Sequence, residues 1–338
     1  MSTLAILIPT YNRSTKLLRL LNVIEKEMTS DNNFSIEVLV SDNCSVDNTE
    51  KIARNFFTDK FKYKYYRQEK NTGFDGNVKF LYQNAQTDYV WFIADDDIPL
   101  PGSIFTIYQV LQYNTPDILL FPFIQPPDST KTKIKSLYSS DMIKKVNNPK
   151  MIIETISKTW KISSYVLRKK EFNKEEEDEL IPFFTSDFYF MDLCFSILKK
   201  SINPELCIIS QPLATCDEDY IKFEFDSEKL IKMYRVYTHP FVTKHIPGFA
   251  ESKKKYAYFV TVGALFSVKT KSLIVKNIDN YNKAIRNLPI RPLLLMKNPE
   301  VLLKFLLMKM HLTYIFLILK PIIRKMKKSF KKENRIIL

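Results

Sequence analysis

The chain has 338 residues, 45% of them hydrophobic and 13% aromatic, a composition that excludes an intrinsically disordered protein. This length allows one large or two modest domains, and only five glycines argue against a glycine-rich phosphate loop. The net charge of +14 is concentrated in residues 301–338, which carry ten Lys or Arg and one acidic residue, Glu333. Such a tail predicts a partner that is either nucleic acid or an anionic membrane surface.

Cysteine spacing and hydropathy indicate a protein of the reduced cytoplasm. The sequence has no C-x-x-C pair, and its three histidines form no zinc pattern. The N-terminus enters a predicted strand almost at once, without the charged and apolar regions of a signal peptide. No uninterrupted apolar window of about 18 residues predicts a transmembrane helix.

Strands and helices alternate over the first third of the chain. Hydrophobic patterning predicts strands over residues 4–9, 36–41, 63–67 and 88–94, and helices over 14–28, 49–57, 74–85 and 102–113. This alternation is typical of βαβ units in a mostly parallel sheet. The first βα turn, Pro9-Thr10-Tyr11-Asn12-Arg13, contains no glycine, which excludes a dinucleotide-binding G-x-G-x-x-G loop there.

Three consecutive carboxylates follow the fourth predicted strand. Asp95, Asp96 and Asp97 are succeeded by Pro99 and Pro101, which prevent a regular continuation. Ligands of open α/β sheets bind at the carboxyl ends of the strands, and carboxylate oxygens suit Mg²⁺ or Mn²⁺. The alternative interpretation is a solvated acidic turn without function.

The pattern is less regular after residue 117. We predict strands over 117–123, 162–168 and 206–210, and a polar loop over 125–150. Residues 173–179 read as a solvated acidic turn or helix start, and a helix opening at Thr185-Ser186-Asp187 extends to Leu198. Beyond Asp226 the pattern is helical. Apolar and basic residues over 302–328 are typical of an interfacial membrane helix, the alternative being a helix docked on the core with a solvated basic end.

Four ordered motifs together resemble glycosyltransferase family 2. They are the acidic triplet with Pro101 and the stretches 8–13 (IPTYNR), 40–49 (VSDNCSVDNT) and 71–73 (NTG). The resemblance is strong over residues 1–125 and weak over 160–220, and it is greatest to bacterial surface-polysaccharide transferases, including the abequosyltransferase-like O-antigen branch. It implies a GT-A α/β fold over 1–225, with a nucleotide-sugar half (1–125) and an acceptor half (126–225), followed by a helical region (226–338).

The resemblance also implies roles for individual residues. Thr10, Tyr11 and Asp42 would lie against the nucleobase and ribose, while Asn71, Gly73 and Asp75 would shape the diphosphate and ribose side. The residues expected to bind the nucleotide sugar are therefore Thr10, Tyr11, Arg13, Asp42, Asn71, Gly73, Asp75, Asp95 and Asp96.

The metal ligand depends on how the triplet is aligned with the family pattern D-x-D-D-x-x-x-P. Anchoring on Pro101 makes Asp96 the ligand of Mn²⁺ or Mg²⁺ and Asp97 structural, and it places Ala94 at the first Asp. Alanine cannot make the ribose contact expected of the first Asp in the pattern, and Asp95 is the residue that could substitute for it. Reading Asp95-x-Asp97 as the D-x-D pair would move the metal to Asp97.

The implied activity is inverting transfer of one sugar from a nucleotide sugar to a lipid-linked oligosaccharide at the inner membrane face. Inversion needs one general base, for which Asp187 is the first choice and Asp192 the alternative. The arginine signature of processive members is not evident. Other classes are a nucleotidyltransferase or a non-catalytic nucleotide-sugar or membrane-binding protein. Nucleic acid is disfavoured as a partner because the basic residues do not alternate with aromatics.

Overall fold

The computed structural model describes residues 2–28, 34–124, 143–156, 159, 161–180 and 189–216. Its helices are α1 (Ser14–Glu27), α2 (Thr49–Asn55), α3 (Gly73–Asn84), α4 (Ser103–Tyr113), α5 (Pro149–Ile156), α6 (Lys174–Leu180) and α7 (Tyr189–Lys200). Its strands are β1 (Leu4–Thr10), β2 (Ile36–Asp42), β3 (Lys62–Arg67), β4 (Tyr89–Phe92), β5 (Asp97–Pro99), β6 (Ile118–Leu120), β7 (Phe123–Ile124), β8 (Ile143–Val146), β9 (Tyr165–Arg168), β10 (Leu206–Ile209) and β11 (Ala214–Cys216).

Eight of these strands form a mostly parallel sheet in the order β3-β2-β1-β4-β9-β6-β10-β8. The four strands β3, β2, β1 and β4 are parallel, and β6 and β10 are parallel to each other. The strands β9 and β8 pair antiparallel with their neighbours. The predicted α/β class with a mostly parallel central sheet is therefore confirmed, while the helical region expected over 226–338 lies outside the described residues.

Burial explains why the central strands read as continuous apolar runs. Every residue of β1, β2 and β4 is buried, as expected for a parallel sheet covered on both faces. Helix α1 covers one face through the residues that share its predicted apolar stripe, Leu17, Leu20, Leu21 and Ile24. These residues belong to the same hydrophobic core as the β1 residues Leu4, Ile6 and Ile8.

Lysines occupy the two edge strands of the sheet. Lys62 and Lys64 of β3 lie 2.9 and 2.6 Å from the buried Glu37 carboxylate of β2, and Lys145 of β8 pairs with Glu205. The two β3 lysines place positive charge along an edge that would otherwise be open to pairing with another chain. In Glu37 burial raises the pKa, and the two lysines outweigh it, so the net pKa lies below the ordinary value.

A second, three-stranded sheet, β5-β11-β7, holds the end of the acidic triplet. Asp97 pairs with Cys216 and Pro99 with Ala214 in the antiparallel β5–β11 ladder. Asp97 therefore begins a new strand, whereas β4 ends at Phe92. The intervening residues turn between the two sheets, and the Asp97 amide donates to the Ala94 carbonyl at 2.9 Å.

Several predicted elements differ from the structure in the second half of the chain. The strand predicted over 117–123 is divided, because β6 joins the large sheet and β7 the small one. The first three residues of the strand predicted over 162–168 form a 3-10 turn at Ile162–Ser164. The loop predicted over 125–150 contains β8 and the start of α5 among its described residues.

None of the helices in the described part of the chain has the length and apolar character needed to cross a bilayer. The four cysteines, Cys44, Cys194, Cys207 and Cys216, are all free thiols.

Candidate functional site

Functional side chains converge where three parallel strands end. Thr10 ends β1 and is paired in register with Asp42, which ends β2. On the other side of β1, Leu7 pairs with Phe92 of β4, so the loop that carries the acidic triplet leaves the sheet beside Thr10. The carboxyl edge of an open α/β sheet is where ligands bind, and the strand order therefore assembles one site from loops distant in sequence.

Four residues at this edge, Thr10, Arg13, Asp95 and Asp96, form what we call the strand-end cluster. Asp95 is buried and accepts hydrogen bonds from the Thr10 hydroxyl at 2.8 Å and from Arg13 Nη1 at 2.9 Å. Burial raises the pKa of Asp95 to about 6, against the opposing charge of Arg13. Through its hydrogen bond with Thr10, Asp95 lies at the end of β1, beside a residue that was expected to lie against the nucleobase and ribose.

Asp96 is the most accessible carboxylate of the triplet. Its side chain is 24% exposed, against 7% for Asp95 and 1% for Asp97, and its Oδ2 lies 2.8 Å from Arg13 Nη1. A group that receives a ligand from solvent must be reachable from solvent. Of the three carboxylates, Asp96 is thus the one that can meet an incoming cation directly.

Asp97 has a structural environment. The hydroxyl of Ser163 donates to Asp97 Oδ2 at 2.5 Å, and Lys161 Nζ lies 3.5 Å from Oδ1. Burial raises the pKa of this carboxyl to about 6, opposed by the charge of Lys161. To hold a metal ion, Asp97 would have to leave these partners, so the geometry favours Asp96.

Ser163 was not identified from the sequence, although it organises the triplet. Its hydroxyl accepts from the Ala94 amide at 3.1 Å while donating to Asp97, and its carbonyl accepts from the Trp91 indole at 2.9 Å. The buried Ser163 thus connects the end of β4 to the start of β5. No motif marks this serine, because its three partners are about 70 residues earlier in the chain.

The side chain of Asn43 fixes the loop that precedes α3. Asn43 Nδ2 donates to Asn71 Oδ1 at 2.9 Å and to the Gly73 carbonyl at 3.1 Å, while its Oδ1 accepts from the Thr72 amide at 2.8 Å. Gly73 adopts a φ of +75°, and no atom lies within 4 Å of where a Cβ would stand. Backbone conformation, rather than lack of space, therefore requires glycine at this position. The motif contained Asn43, but its role becomes visible only in the structure.

Asp42 is fully buried and already has protein partners. Its Oδ1 accepts from the Ser45 amide at 2.8 Å and its Oδ2 from the Tyr65 hydroxyl at 2.9 Å. Burial and this hydrogen bond raise the pKa of Tyr65. Direct contact between Asp42 and a nucleobase would require a neighbouring group to move. Tyr11, by contrast, is 42% exposed and can present its ring to a ligand.

The loops after β1 and β2 each contain a residue of unusual backbone conformation, and hydrogen bonds join the two loops. Asn12 and Cys44 both have positive φ, 53° and 65°, which is uncommon for residues other than glycine. The Asn12 amide donates to Ser45 Oγ at 2.8 Å, and Asn12 Oδ1 accepts from the Val46 amide at 2.8 Å. These hydrogen bonds fasten Asn12 to the two residues that follow Cys44, and such conformations are often found where a site is preorganised.

Asp75 connects α3 to α7. It is buried and accepts a hydrogen bond from the amide of Tyr189, the first residue of α7, at 3.0 Å. Asp75 also shares a helical face of α3 with the buried Val78 and Tyr82. Its expected role in shaping the diphosphate side of the pocket stays a prediction.

Of the two residues proposed as the general base, only Asp192 lies within the described residues. Asp187 lies outside the described residues. Asp192 is in the first turn of α7 with no exposed surface, and neither of its oxygens accepts a hydrogen bond from any described residue. Burial, reinforced by the charge of Asp75, raises the pKa of Asp192 well above its ordinary value. A carboxyl so placed is not accessible to an acceptor hydroxyl.

The strand-end cluster fits a divalent cation that a ligand helps to bind. Within the described residues, no group of three or more His, Cys, Asp or Glu side chains could hold a metal ion alone. Mg²⁺ and Mn²⁺ are nevertheless commonly held by one or two carboxylates together with substrate phosphates. Asp96, with Asp95 beside it, supplies such a donor set on the open side of the sheet edge.

Two curated proteins resemble part of the chain. A "GalNAc(5)-diNAcBac-PP-undecaprenol beta-1,3-glucosyltransferase" from Campylobacter jejuni is 31% identical over 110 residues, which cover 32% of this chain and 34% of that protein. The abequosyltransferase RfbV of Salmonella typhimurium is 36% identical over 116 residues, 33% of each chain. The matched stretch spans about a third of each relative's own length.

Solved structures and a family profile agree on the fold. The crystal structure of S. aureus TarS residues 1–349 in complex with UDP-GlcNAc matches with a TM-score of 0.61 and 15% identity, covering 98% of this chain and 92% of that one. Another crystal structure of S. aureus TarS 1–349 gives a TM-score of 0.59 at 13% identity, with the same coverage. The GT-A fold expected from the motifs is thereby confirmed. Because the sequence profile of Glycosyl transferase family 2 matches residues 5–191, more than half of the chain, the protein belongs to that family.

Proposed function

We propose that the protein is an inverting, metal-dependent glycosyltransferase that moves one sugar from a nucleotide-sugar donor to a hydroxyl of a lipid-linked oligosaccharide. The observation that carries this proposal is the accessible Asp96 carboxylate at the carboxyl edge of the parallel sheet. Family membership supports sugar transfer, and the strand-end cluster supports charge compensation at a diphosphate.

Each residue of the site has a part in this proposal. Asp96 would hold Mn²⁺ or Mg²⁺, which, when bound, stabilises negative charge developing on the departing nucleoside diphosphate. Asp95 fixes Thr10 and Arg13 so that both face the donor. Asn43 holds residues 71–73 beside the donor site, and Tyr11 presents its exposed ring to the nucleobase. These groups are positioned before the donor arrives, which lowers the cost of binding it.

Inversion requires one base on the side of the sugar opposite the leaving group. We assign this role to Asp187, which precedes α7, because the buried Asp192 is not accessible to an acceptor. The Asp75–Tyr189 hydrogen bond ties the start of α7 to the start of α3. Tyr189, two positions after the proposed base in the sequence, is thereby attached to the helix that follows the donor loop.

The acceptor and location rest on sequence and on the relatives. One relative is named for an undecaprenol-linked substrate, and the other for abequose transfer, so bacterial surface polysaccharide is the proposed context. The basic, apolar segment 302–328 would bind an anionic lipid surface rather than nucleic acid. The proposed place of action is the cytoplasmic face of the cell membrane, where the protein would be peripheral.

Replacing Asp96 by Ala or Asn tests the proposal. We expect release of nucleoside diphosphate from a panel of nucleotide sugars, with Mn²⁺ or Mg²⁺ present, to fall by at least about a hundredfold. The matched control is Asp59→Asn, at an exposed residue of the turn before β3, which should retain activity. Full turnover by the Asp96 variants would contradict the metal assignment.

A further inference from the structure

One nitrogen of Arg13 lies between two carboxylates. Arg13 Nη1 is 2.9 Å from Asp95 Oδ1 and 2.8 Å from Asp96 Oδ2. A guanidinium remains charged in proteins, and here both of its acidic partners lie within hydrogen-bond distance. The cation of the strand-end cluster is therefore supplied by the chain itself, at the carboxylate where a divalent cation would bind.

The two carboxylates that Arg13 contacts differ in their exposure to solvent and in how firmly they are held. Asp95 is 7% exposed and is fixed by the Thr10 hydroxyl, whereas Asp96 is 24% exposed. The Arg13 amide donates to Thr49 Oγ1 at 3.1 Å, which ties its backbone to the start of α2. Because water screens the Asp96 contact more, that contact can be exchanged while the Asp95 contact keeps the arginine in place.

We propose that Arg13 is a displaceable internal counter-ion of the acidic triplet. It neutralises Asp96 while the donor site is empty, and it moves from Asp96 onto the donor diphosphate when a divalent cation takes that carboxylate. This inference rests on the proposed function. Arginine is suited to the exchange because its planar fork pairs equally well with a carboxylate and with phosphate oxygens.

Coupling between metal and nucleotide follows from this exchange. A divalent cation and the guanidinium repel each other at one carboxylate, so Arg13 opposes metal binding in the empty site. A diphosphate gives the guanidinium a new partner, and the opposition is then removed. Metal and nucleotide must therefore each raise the affinity of the other, by the same factor.

Two simpler roles for Arg13 make different predictions. If Arg13 only stabilises the turn, its removal would disorder Asp96 and weaken metal binding. If it only binds phosphate, its removal would leave metal affinity in the absence of nucleotide unchanged. Displacement alone predicts tighter metal binding when the arginine charge is removed.

The experiment measures Mn²⁺ binding to the full chain by electron paramagnetic resonance of free Mn²⁺, first without nucleotide. We expect Arg13→Gln to bind Mn²⁺ on the order of tenfold more tightly than the natural protein. The gain in affinity on adding uridine, guanosine, cytidine or thymidine diphosphate should be smaller in Arg13→Gln. Arg54→Gln removes an arginine that pairs with Glu50 on the surface and should leave both quantities unchanged.

Arg13→Lys retains the charge and should restore the weak Mn²⁺ binding of the natural protein. If Arg13→Gln does not fold, Arg13→Met also removes the charge and makes the same test: tighter Mn²⁺ binding without nucleotide is expected, and unchanged or weaker binding overturns the displacement role. Suppose that the natural protein binds Mn²⁺ through Asp96. Unchanged or weaker Mn²⁺ affinity in folded Arg13→Gln then overturns the displacement role of Arg13, but it does not overturn the metal-dependent function. Absence of Mn²⁺ binding in the natural protein, with and without nucleotide, overturns both this inference and the metal-dependent function.

Discussion

Two pairs of acidic residues in this protein have opposite surroundings. In the strand-end cluster, Asp95 and Asp96 share a charged arginine, and Asp96 is partly exposed to solvent. In the contact between α3 and α7, Asp75 and Asp192 are buried, and Asp192 has no hydrogen-bond partner among the described residues. A compensated pair with one accessible carboxylate can exchange its cation for a ligand. A buried pair lacks that access and instead makes stability depend on protonation.

The largest expected difference comes from making the same substitution in each pair. Asp95→Asn removes the charge that holds Arg13 and leaves only one acceptor for two donors, so we expect the rate of sugar transfer to fall about a hundredfold. Asp192→Asn should leave the rate within about twofold, because this side chain has no exposed surface. Steady-state release of nucleoside diphosphate compares the two variants.

Circular dichroism would establish that both variants are folded. An inactive, folded Asp192→Asn would contradict the structural role of the α3–α7 pair and return Asp192 to the candidates for the base. Equal activity in Asp95→Asn and the natural protein would remove the strand-end cluster from the site.

A smaller loss of function is expected from replacing Asn43, the neutral side chain that holds the donor loop. Asn43→Ala loses hydrogen bonds to Asn71, Thr72 and Gly73, so the donor loop should lose its fixed position. We expect nucleotide affinity to fall about tenfold and the free energy of unfolding by about 1 to 2 kcal/mol. Titration calorimetry and urea unfolding measure the two quantities.

The control for this substitution is Asn48→Ala. Asn48 is exposed in the same β2–α2 loop and makes no side-chain capping bond to α2. The control should match the natural protein in both measurements. If Asn43→Ala also does so, the loop is held by contacts other than this asparagine.

Local patterns predicted the first half of the fold because its determinants lie close together in sequence. The apolar run of β1 and the stripe Leu17, Leu20, Leu21 and Ile24 each specify one element and its buried face. Strand ends then placed Thr10, Asp42 and the triplet at one edge of the sheet. The same helical spacing also places Asp75 on the buried face of α3.

The remaining features depend on contacts between distant residues. The strand β5 has three residues and exists because Asp97–Pro99 pairs with residues more than 110 positions later. Ser163 lies in a stretch that alternates like a strand, yet it turns in order to bond Ala94 and Asp97. Neither pairing leaves a local pattern in the sequence, so neither could be predicted from it.

The smallest expected effect is the pH dependence caused by Asp192. Burial raises its folded-state pKa well above the ordinary value of 3.8, so between these values the folded state binds more protons than the unfolded state. The contribution of Asp192 to the free energy of unfolding therefore falls as pH rises through this window. Asp192→Asn removes that loss. We expect its unfolding free energy, relative to the natural protein, to rise as the pH is raised above about 4.

Urea unfolding at several pH values measures this difference, and its slope is more informative than its absolute value. The buried amide of the variant has its own desolvation cost, which does not change with pH and shifts the whole curve. Asp59→Asn, at an exposed carboxyl, should give a curve parallel to that of the natural protein. If the Asp192→Asn curve is also parallel, Asp192 has a partner that keeps it charged, and the two acidic pairs are then more alike than their surroundings indicate.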